Sequence, residues 1–296
     1  MENRRITVID AGSPEGMEPV VCRRSFQEIP VAGVPLEQLL VERLSALAES
    51  GTVKVYPGLW PSDELLHFFQ SSGSITITDA AGFELLTFSR DEDESAPRES
   101  NDLHGSLLIR YSWDLVELNN IIVGKLTENK IAGTVRERVS IDGCIELGEG
   151  SVLLPGVFIE GNAIIGKNCK IGPNCYIRGN TSIGDNCHIG QAVEVKNCLI
   201  MNNVSAGHLS YIGDSVICPG TNLGAGTISA NLRHDGKNHA SMIGDSLVDT
   251  GRRKLGVIIG DDAHTGINTS FYPGRKIWPG GITCPSEIVK KDIKTE

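Results

Sequence analysis

The sequence predicts a mainly β protein, a parallel solenoid of six-residue units preceded by a smaller α/β domain. Three observations predict it. Stepping by six from Ile141 lands on Leu147, Leu153, Ile159, Ile165, Ile171, Ile177, Ile183, Ile189, Val195 and Met201, all aliphatic or Met. The position four beyond a stop is mostly small, as at Ser151, Ala163, Cys169, Cys175, Thr181 and Cys187. The residue after a stop is often glycine, as in Ile165-Gly166, Ile171-Gly172, Ile183-Gly184 and Ile189-Gly190. A period of six fits neither the 3.6 of a helix nor the 2 of a plain strand. It fits a solenoid in which each hexad is a short strand plus a corner, three hexads closing a triangular turn of about eighteen residues. Aliphatic side chains stack inside, small ones fill the space beside them, and Gly, Asn and Asp turn the corners.

The chain of 296 residues has room for two domains. Apolar content of 40% and charged content of 22% are those of an ordinary globular protein. A net charge of -10 argues against a general nucleic-acid binder and leaves room for a local basic pocket. No apolar run reaches the ~20 residues that span a bilayer. Met1-Glu2-Asn3-Arg4-Arg5 leads into a strand rather than a signal-peptide core. Of the eight cysteines, Cys169, Cys175 and Cys187 fall in the small slot of their hexads, and no CxxC pair occurs. They read as reduced packing residues of a cytosolic protein, not as metal ligands.

Residues 1–125 read as an α/β domain. Ile6–Ile9 is a buried strand followed by the turn-rich Asp10–Gly16. Leu36, Leu39, Leu40, Leu44 and Leu47 recur at helical spacing, with Gly51 closing the helix. Val53–Tyr56 is a short strand. Ser62 caps a helix running to Phe69, with Asp63 and Glu64 in its first turn. Ser74–Asp79 alternates as a strand should. Arg90–Ser100 is polar, acidic and expected to be a solvated loop. Leu107–Tyr111 is a strand, and Trp113–Val123 a helix leading toward the solenoid.

Ile29–Leu36 and Tyr111–Leu115 resemble fragments of sugar-1-phosphate nucleotidyltransferases. That family cradles nucleotide phosphates in a Gly-rich loop with Thr-Arg. Here the place holds Gly12-Ser13-Pro14-Glu15-Gly16-Met17-Glu18-Pro19, without the basic residue, so nucleotidyl transfer is not expected. Farther on, Ala206-Gly207-His208-Leu209-Ser210-Tyr211 and Gly224-Ala225-Gly226-Thr227-Ile228 resemble the acetyltransferase half of the bifunctional N-acetylglucosamine-1-phosphate uridyltransferases. Archaeal relatives are closer still, through Asn231-Leu232-Arg233, Gly251–Gly256 and Thr265–Asn268. The resemblance spans roughly residues 141–285. It implies a left-handed parallel β-helix over 126–286, with a loop excursion at 233–255 and a C-terminal tail at 287–296 capping the last coil.

The resemblance also implies a chemistry: acetyl-CoA-dependent N-acetylation of an amino-sugar 1-phosphate such as glucosamine-1-phosphate. An amine attacking a thioester must lose a proton, and imidazole suits that task. His208 matches the family's catalytic histidine. Arg178 and Lys196, one coil apart, match its sugar-phosphate anchors. Tyr211, Asn222 and Asn231 match sugar contacts, and Ala225 matches a backbone contact to the pantetheine arm. Two departures stand out. His239 or Lys237 takes the place of a bacterial lysine, and Ile267 replaces a CoA-binding serine. Arg252, Arg253 and Lys254 read equally as contacts for CoA phosphates or as a solvated loop. A homotrimer with sites between neighbouring prisms is the expected assembly. The alternatives are a sugar nucleotidyltransferase whose β-helix only builds the oligomer, and a non-catalytic scaffold.

Overall fold

The computed structural model describes residues 5–91 and 93–295. Met1–Arg4 of the leading segment, Glu92 of the acidic run and Glu296 of the tail lie outside the described residues. The chain divides into two compact units. One comprises the described part of Met1–Pro14 with Arg24–Ile29 and Val34–Arg110, the other Glu15–Arg23, Pro30–Gly33 and the chain from Tyr111 onward.

In the first unit, β1 (Ile6–Val8), β2 (Gly51–Val55), β3 (Ile75–Thr78), β4 (Glu84–Arg90) and β5 (Arg98–Ser100) form one sheet in the order β1-β2-β4-β3-β5. Helix α1 (Leu36–Leu44) buries Leu36, Leu40 and Leu44, three and four residues apart as one helical face requires. It ends short of the expected Leu47, which starts a separate 3-10 turn, Leu47–Glu49. Gly51 opens β2, where a Cβ would stand 2.3 Å from the Ser89 carbonyl. Helix α2 (Asp63–Ser71) starts as expected, with Ser62 Oγ accepting from the Leu65 amide at 3.0 Å.

The acidic run is mostly exposed, as expected of a solvated loop, but it is anchored at both ends. Asp93 accepts from the Ser74 amide at 2.8 Å, and Arg98–Ser100 pairs in parallel with Ile75–Ile77. Arg90 donates to the carbonyls of Phe69, Gln70 and Ser72, the negative end of α2. The charges therefore satisfy backbone groups that the sheet and helix leave open. The expected strand at Leu107–Tyr111 shrinks to Leu107–Leu108, paired with Leu59–Trp60.

The second unit is the solenoid. Its first face has eight parallel strands from Lys130–Ile131 to Arg275–Ile277, its second seven from Thr134–Val135 to His264–Thr265, and its third eight from Ser140–Asp142 to Ile288–Val289. The stops of the hexad pattern line the interior: Leu147 through Val195 are buried, as are the small-slot residues. Ile141 pairs with Ile159 and Ile159 with Ile177, eighteen residues apart. At Gly190 a Cβ would come 1.9 Å from the Gly207 carbonyl of the next coil, so only glycine fits.

The register slips one step earlier than the pattern suggests. Arg178 pairs with Lys196, eighteen residues on, but Ser182 pairs with Leu199 and Ile183 with Ile200, seventeen on. The corner after Lys196 has lost one residue. Ile200, not Met201, therefore continues the inner column, and Ile217 follows it. The seventeen-residue spacing holds from Val195 to Ile212 and from Ala206 to Leu223. The excursion then leaves the corner between third and first faces. It is no plain loop: Ala240–Ile243 and Ser246–Asp249 form an antiparallel hairpin. The tail lies on the last coil, where Ile288–Val289 extends the third face and Ile293 bridges to Ile277.

Helix α3 (Asp114–Gly124) clusters with the solenoid, which puts the division at Tyr111 rather than after residue 125. Buried Asn119 explains this. Its amide donates to the Asn180 and Cys198 carbonyls at 3.1 and 3.2 Å, and it accepts from Ser182 Oγ at 2.5 Å. Farther down the solenoid, Glu15–Arg23 buries Met17, Val20 and Val21, and Glu18 accepts from Trp278 Nε1 at 3.2 Å. The residues that stand where the resembled family has its phosphate loop thus serve packing on this unit from Glu15 onward.

Lys276 is almost wholly buried on the first face, its Nζ donating to the Met242 carbonyl at 2.9 Å and lying 5.2 Å from the Trp113 ring. Burial pushes its pKa down to about 8, against the opposing pull of Asp292 and Glu18. Between that value and the 10.5 of the unfolded chain, the unfolded state binds more protons, so stability rises with pH. Lys276→Met should therefore raise the melting temperature at pH 7, and the difference from wild type should shrink from pH 8 to 10.5. A constant difference across that window would refute the linkage.

Among the cysteines, Cys22 and Cys284 are exposed and Cys169, Cys175, Cys187, Cys198 and Cys218 are buried. Burial pushes Cys175 up to about 11 and Cys198 up to about 12. Alkylation of native protein at pH 8 should mark Cys22 and Cys284 first and spare Cys175 and Cys198 until denaturant is added, as peptide mass spectrometry would show. No helix among the described residues is long and apolar enough to cross a membrane.

Candidate active site

Two groups of polar residues flank the third face, one at each of its corners. At the corner between second and third faces, His208 ends the strand Ser205–His208 and stands exposed. Leu209 turns the corner with φ +53°. The Gly226 amide donates to the His208 carbonyl at 3.2 Å, the Asn268 amide to the Ala225 carbonyl at 2.7 Å, and the Ser286 amide to the Ile267 carbonyl at 2.7 Å. His208, Ala225 and Ile267 therefore stack on successive coils of one corner. Beside His208, a Cβ on Gly207 would meet nothing within 4 Å, so the backbone lies open to a ligand there. Ile267 is half exposed, presenting an apolar surface below the histidine.

At the opposite corner, Arg178 and Lys196 are in register on adjacent coils. Both are already paired. Arg178 Nε donates to Glu194 Oε1 at 2.8 Å, a bond that holds the guanidinium charged, and its Cζ lies 5.4 Å from the Tyr176 ring. Tyr176 in turn donates to Glu160, which raises its pKa. Lys196 Nζ lies 2.9 and 3.0 Å from the two oxygens of Asp214. The same carboxylate accepts from Asn197 Nδ2 at 3.0 Å and Asn231 Nδ2 at 2.5 Å. Asn231 Nδ2 also reaches Tyr211 Oη at 2.9 Å. Burial, followed by the charges of Asp214 and Glu194, pushes the Tyr211 phenol upward, so it stays a neutral hydrogen-bonding group.

The structure thus brings Arg178, Lys196, Tyr211 and Asn231 into one cluster and sets His208 at the far corner of the same face. Asn222 belongs to neither. It lies exposed on the second face between Ser205 and His264. His239, one of two expected replacements for a lysine, is buried, with Nε2 3.0 Å from the Asn231 carbonyl. Burial lowers its pKa, which favours the neutral ring. Lys237, the other, is exposed. Arg252 lies 3.5 Å from Glu117 of α3 and ties the excursion to that helix, while Arg253 Nε donates to the Gly236 carbonyl within the excursion.

Sequence reasoning missed Asp214, the hub of the cluster. The signal was the seventeen-residue coil, which stacks Asn197 over Asp214 at one corner. It also missed His188, one coil from the strand of His208, whose charged form is disfavoured by burial and then by Lys170 and His208. No group of three or more His, Cys, Asp or Glu fit to hold a metal occurs among the described residues.

Fold and site together define a parallel β-helix protein of the hexapeptide-repeat kind. Residues 159–269 match the family described as the GMPPB C-terminal domain. The homologues are GlmU-like bifunctional sugar-1-phosphate nucleotidyltransferase/acetyltransferases of archaeal type, matched over their C-terminal half. A "Bifunctional sugar-1-phosphate nucleotidylyltransferase/acetyltransferase" of Sulfurisphaera tokodaii is 39% identical over 61% of this chain and 45% of its own length. A "Bifunctional protein GlmU" of Methanococcus maripaludis strain C7 is 45% identical over 66% of this chain and 49% of its own. One from Methanocaldococcus jannaschii is 40% identical over 62% and 44%. The chain spans about half the length of the curated relatives it matches. The Sulfurisphaera tokodaii protein is named for two activities, and nothing in these matches supports the expectation that nucleotidyl transfer is absent. A solved acetyltransferase domain of PglB from Neisseria gonorrhoeae FA1090 aligns at 12% identity over 99% of this chain and 94% of that one. Its TM-score of 0.19 is too low to speak for a shared arrangement.

Proposed function

We propose that this protein is an acetyl-CoA-dependent N-acetyltransferase acting on an amino-sugar phosphate, with His208 as general base. One observation carries the reading: an exposed imidazole, beside an unobstructed glycine backbone, heads a column of three residues on one corner. The acyl donor lies along that column, its pantetheine arm against the Ala225 backbone and the apolar Ile267 side chain. The thioester carbonyl then faces His208. The imidazole takes a proton from the sugar amine as nitrogen attacks the carbonyl carbon. Backbone N–H groups at the corner stabilise the oxyanion, and its collapse expels CoA thiolate, which takes the proton back.

The amino sugar is held by the cluster at the other corner, Arg178 and Lys196 toward phosphate and Tyr211 and Asn231 toward hydroxyls. Because that cluster and His208 sit at opposite corners of one face, each site combines the base of one protomer with the anchors of a neighbour in a homotrimer. The printed name of the Sulfurisphaera tokodaii relative supports acetyl transfer, since it includes that activity. The test is release of free thiol from acetyl-CoA on adding glucosamine-1-phosphate, with the N-acetyl product identified by mass spectrometry. Thiol release that does not depend on an amino sugar would sink the proposal.

A further inference from the structure

Next to the Asn231 cluster a cavity of ≈ 690 Å³ opens over the last coils of the third face. Its apolar wall includes Leu232, Tyr272 and Ile288, each about half exposed. Its cations are Arg233, Arg275 and Lys290. Arg233 is matched by Asp235 at 2.7 Å, and Arg275 lies 4.0 Å from Asp292. Lys290 instead lies 6.0 Å from the Tyr272 ring centre, with no carboxylate partner among the described residues. Asn231 joins cavity and cluster: its amide faces Tyr211 and Asp214, and its carbonyl holds His239, which lines the cavity.

The balance of charge differs between the two places. At the expected phosphate anchors each cation already has its own carboxylate, whereas at the cavity three cations face two carboxylates, Asp235 and the Asp292 beside Arg275, which leaves Lys290 unmatched among the described residues. In a chain of net charge -10 that local excess favours an anion. An exposed tyrosine under a lysine suits a flat ring with phosphate beside it. The volume lies in the range of sites that enclose whole drug-sized ligands, more than a bare hexose phosphate fills.

We propose that the acceptor is a nucleotide-linked amino sugar: its sugar stays against Tyr211 and Asn231, its diphosphate turns toward Lys290 and Arg275 in place of the already paired Arg178 and Lys196, and its nucleotide sits in this cavity with the base against Tyr272 and Leu232. The proposal rests on the acetyl-transfer reading and names its substrate class. The test compares UDP-glucosamine with glucosamine-1-phosphate as acceptors and measures UDP binding by calorimetry on the full chain. Wild type should use UDP-glucosamine with kcat/KM at least about tenfold higher and should bind UDP. Lys290→Glu and Tyr272→Ala should each raise the KM for UDP-glucosamine about tenfold, the loss of one charge-assisted or stacking contact, and leave that for glucosamine-1-phosphate unchanged.

Acetylation of glucosamine-1-phosphate with no UDP binding would overturn the nucleotide site and keep the acetyltransferase. UDP binding lost in Lys290→Glu, with neither sugar acetylated, would keep the nucleotide site and overturn the acetyltransferase. Equal effects of both variants on the two acceptors would overturn the proposal, and so would UDP excluded from the cavity by a second copy of the chain.

Discussion

His208→Ala is expected to lower kcat for acetyl transfer by about 10²–10⁴, the usual contribution of a positioned general base, with little change in the KM for acetyl-CoA. The side chain is exposed at a corner, so its loss removes little packing and the melting temperature should stay within a degree or two. That separates a chemical defect from a folding defect. Added imidazole should restore part of the rate, because the cut leaves space beside the open Gly207 backbone. Ser210 and Gly226 bond to the His208 carbonyl, not to its ring, so the corner keeps its shape in the variant. A variant retaining more than a third of the wild-type kcat would remove His208 from the mechanism. The measurement is steady-state thiol release with the amino sugar that wild type uses.

The solenoid was legible because its inner column repeats through backbone geometry that only a stacked coil imposes. Ile159, Ile177 and Val195 are named by period alone and lie one above another in the interior. The pattern failed at Ile200-Met201, where two adjacent apolar residues let a six-step count pass over a deleted corner residue. What pairs with what below that corner follows from the deletion, not from the residue types. Asp214 shows the cost. In sequence it is a turn-forming aspartate after glycine, and its φ of +50° agrees. Its carboxylate nevertheless points back into the cluster.

Arg178 and Lys196 were legible as a pair one coil apart, while their partners Glu194 and Asp214 were not. The former pair follows from the repeat and the latter from side-chain direction. The acidic run shows the same limit, since charge composition does not reveal that Asp93 and Arg90 satisfy buried backbone groups.

The second large effect is expected at Asp214. Its side chain is 5% exposed and faces a lysine that is 16% exposed, so the pair is nearly dry. Removing one member of such a pair leaves an uncompensated charge and costs about 3–5 kcal/mol. Asp214→Ala should therefore lower the denaturation midpoint markedly, more than any exposed substitution in the solenoid. Asp214→Asn keeps a hydrogen-bonding group for Lys196 and Asn197 and should recover part of the loss.

Function should divide differently. Asp214 holds Lys196 and Asn231, and Asn231 holds the Tyr211 hydroxyl, so the acceptor's contacts depend on one carboxylate. His208 lies at the far corner and does not. In Asp214→Asn the KM for the amino sugar should rise about tenfold or more while kcat at saturation falls less than threefold, the pattern of lost binding rather than lost chemistry. A merely structural aspartate would lower the amount of active protein, leaving KM alone. An unchanged KM in Asp214→Asn, with stability of Asp214→Ala within about 0.5 kcal/mol of wild type, would show that the hub organises nothing.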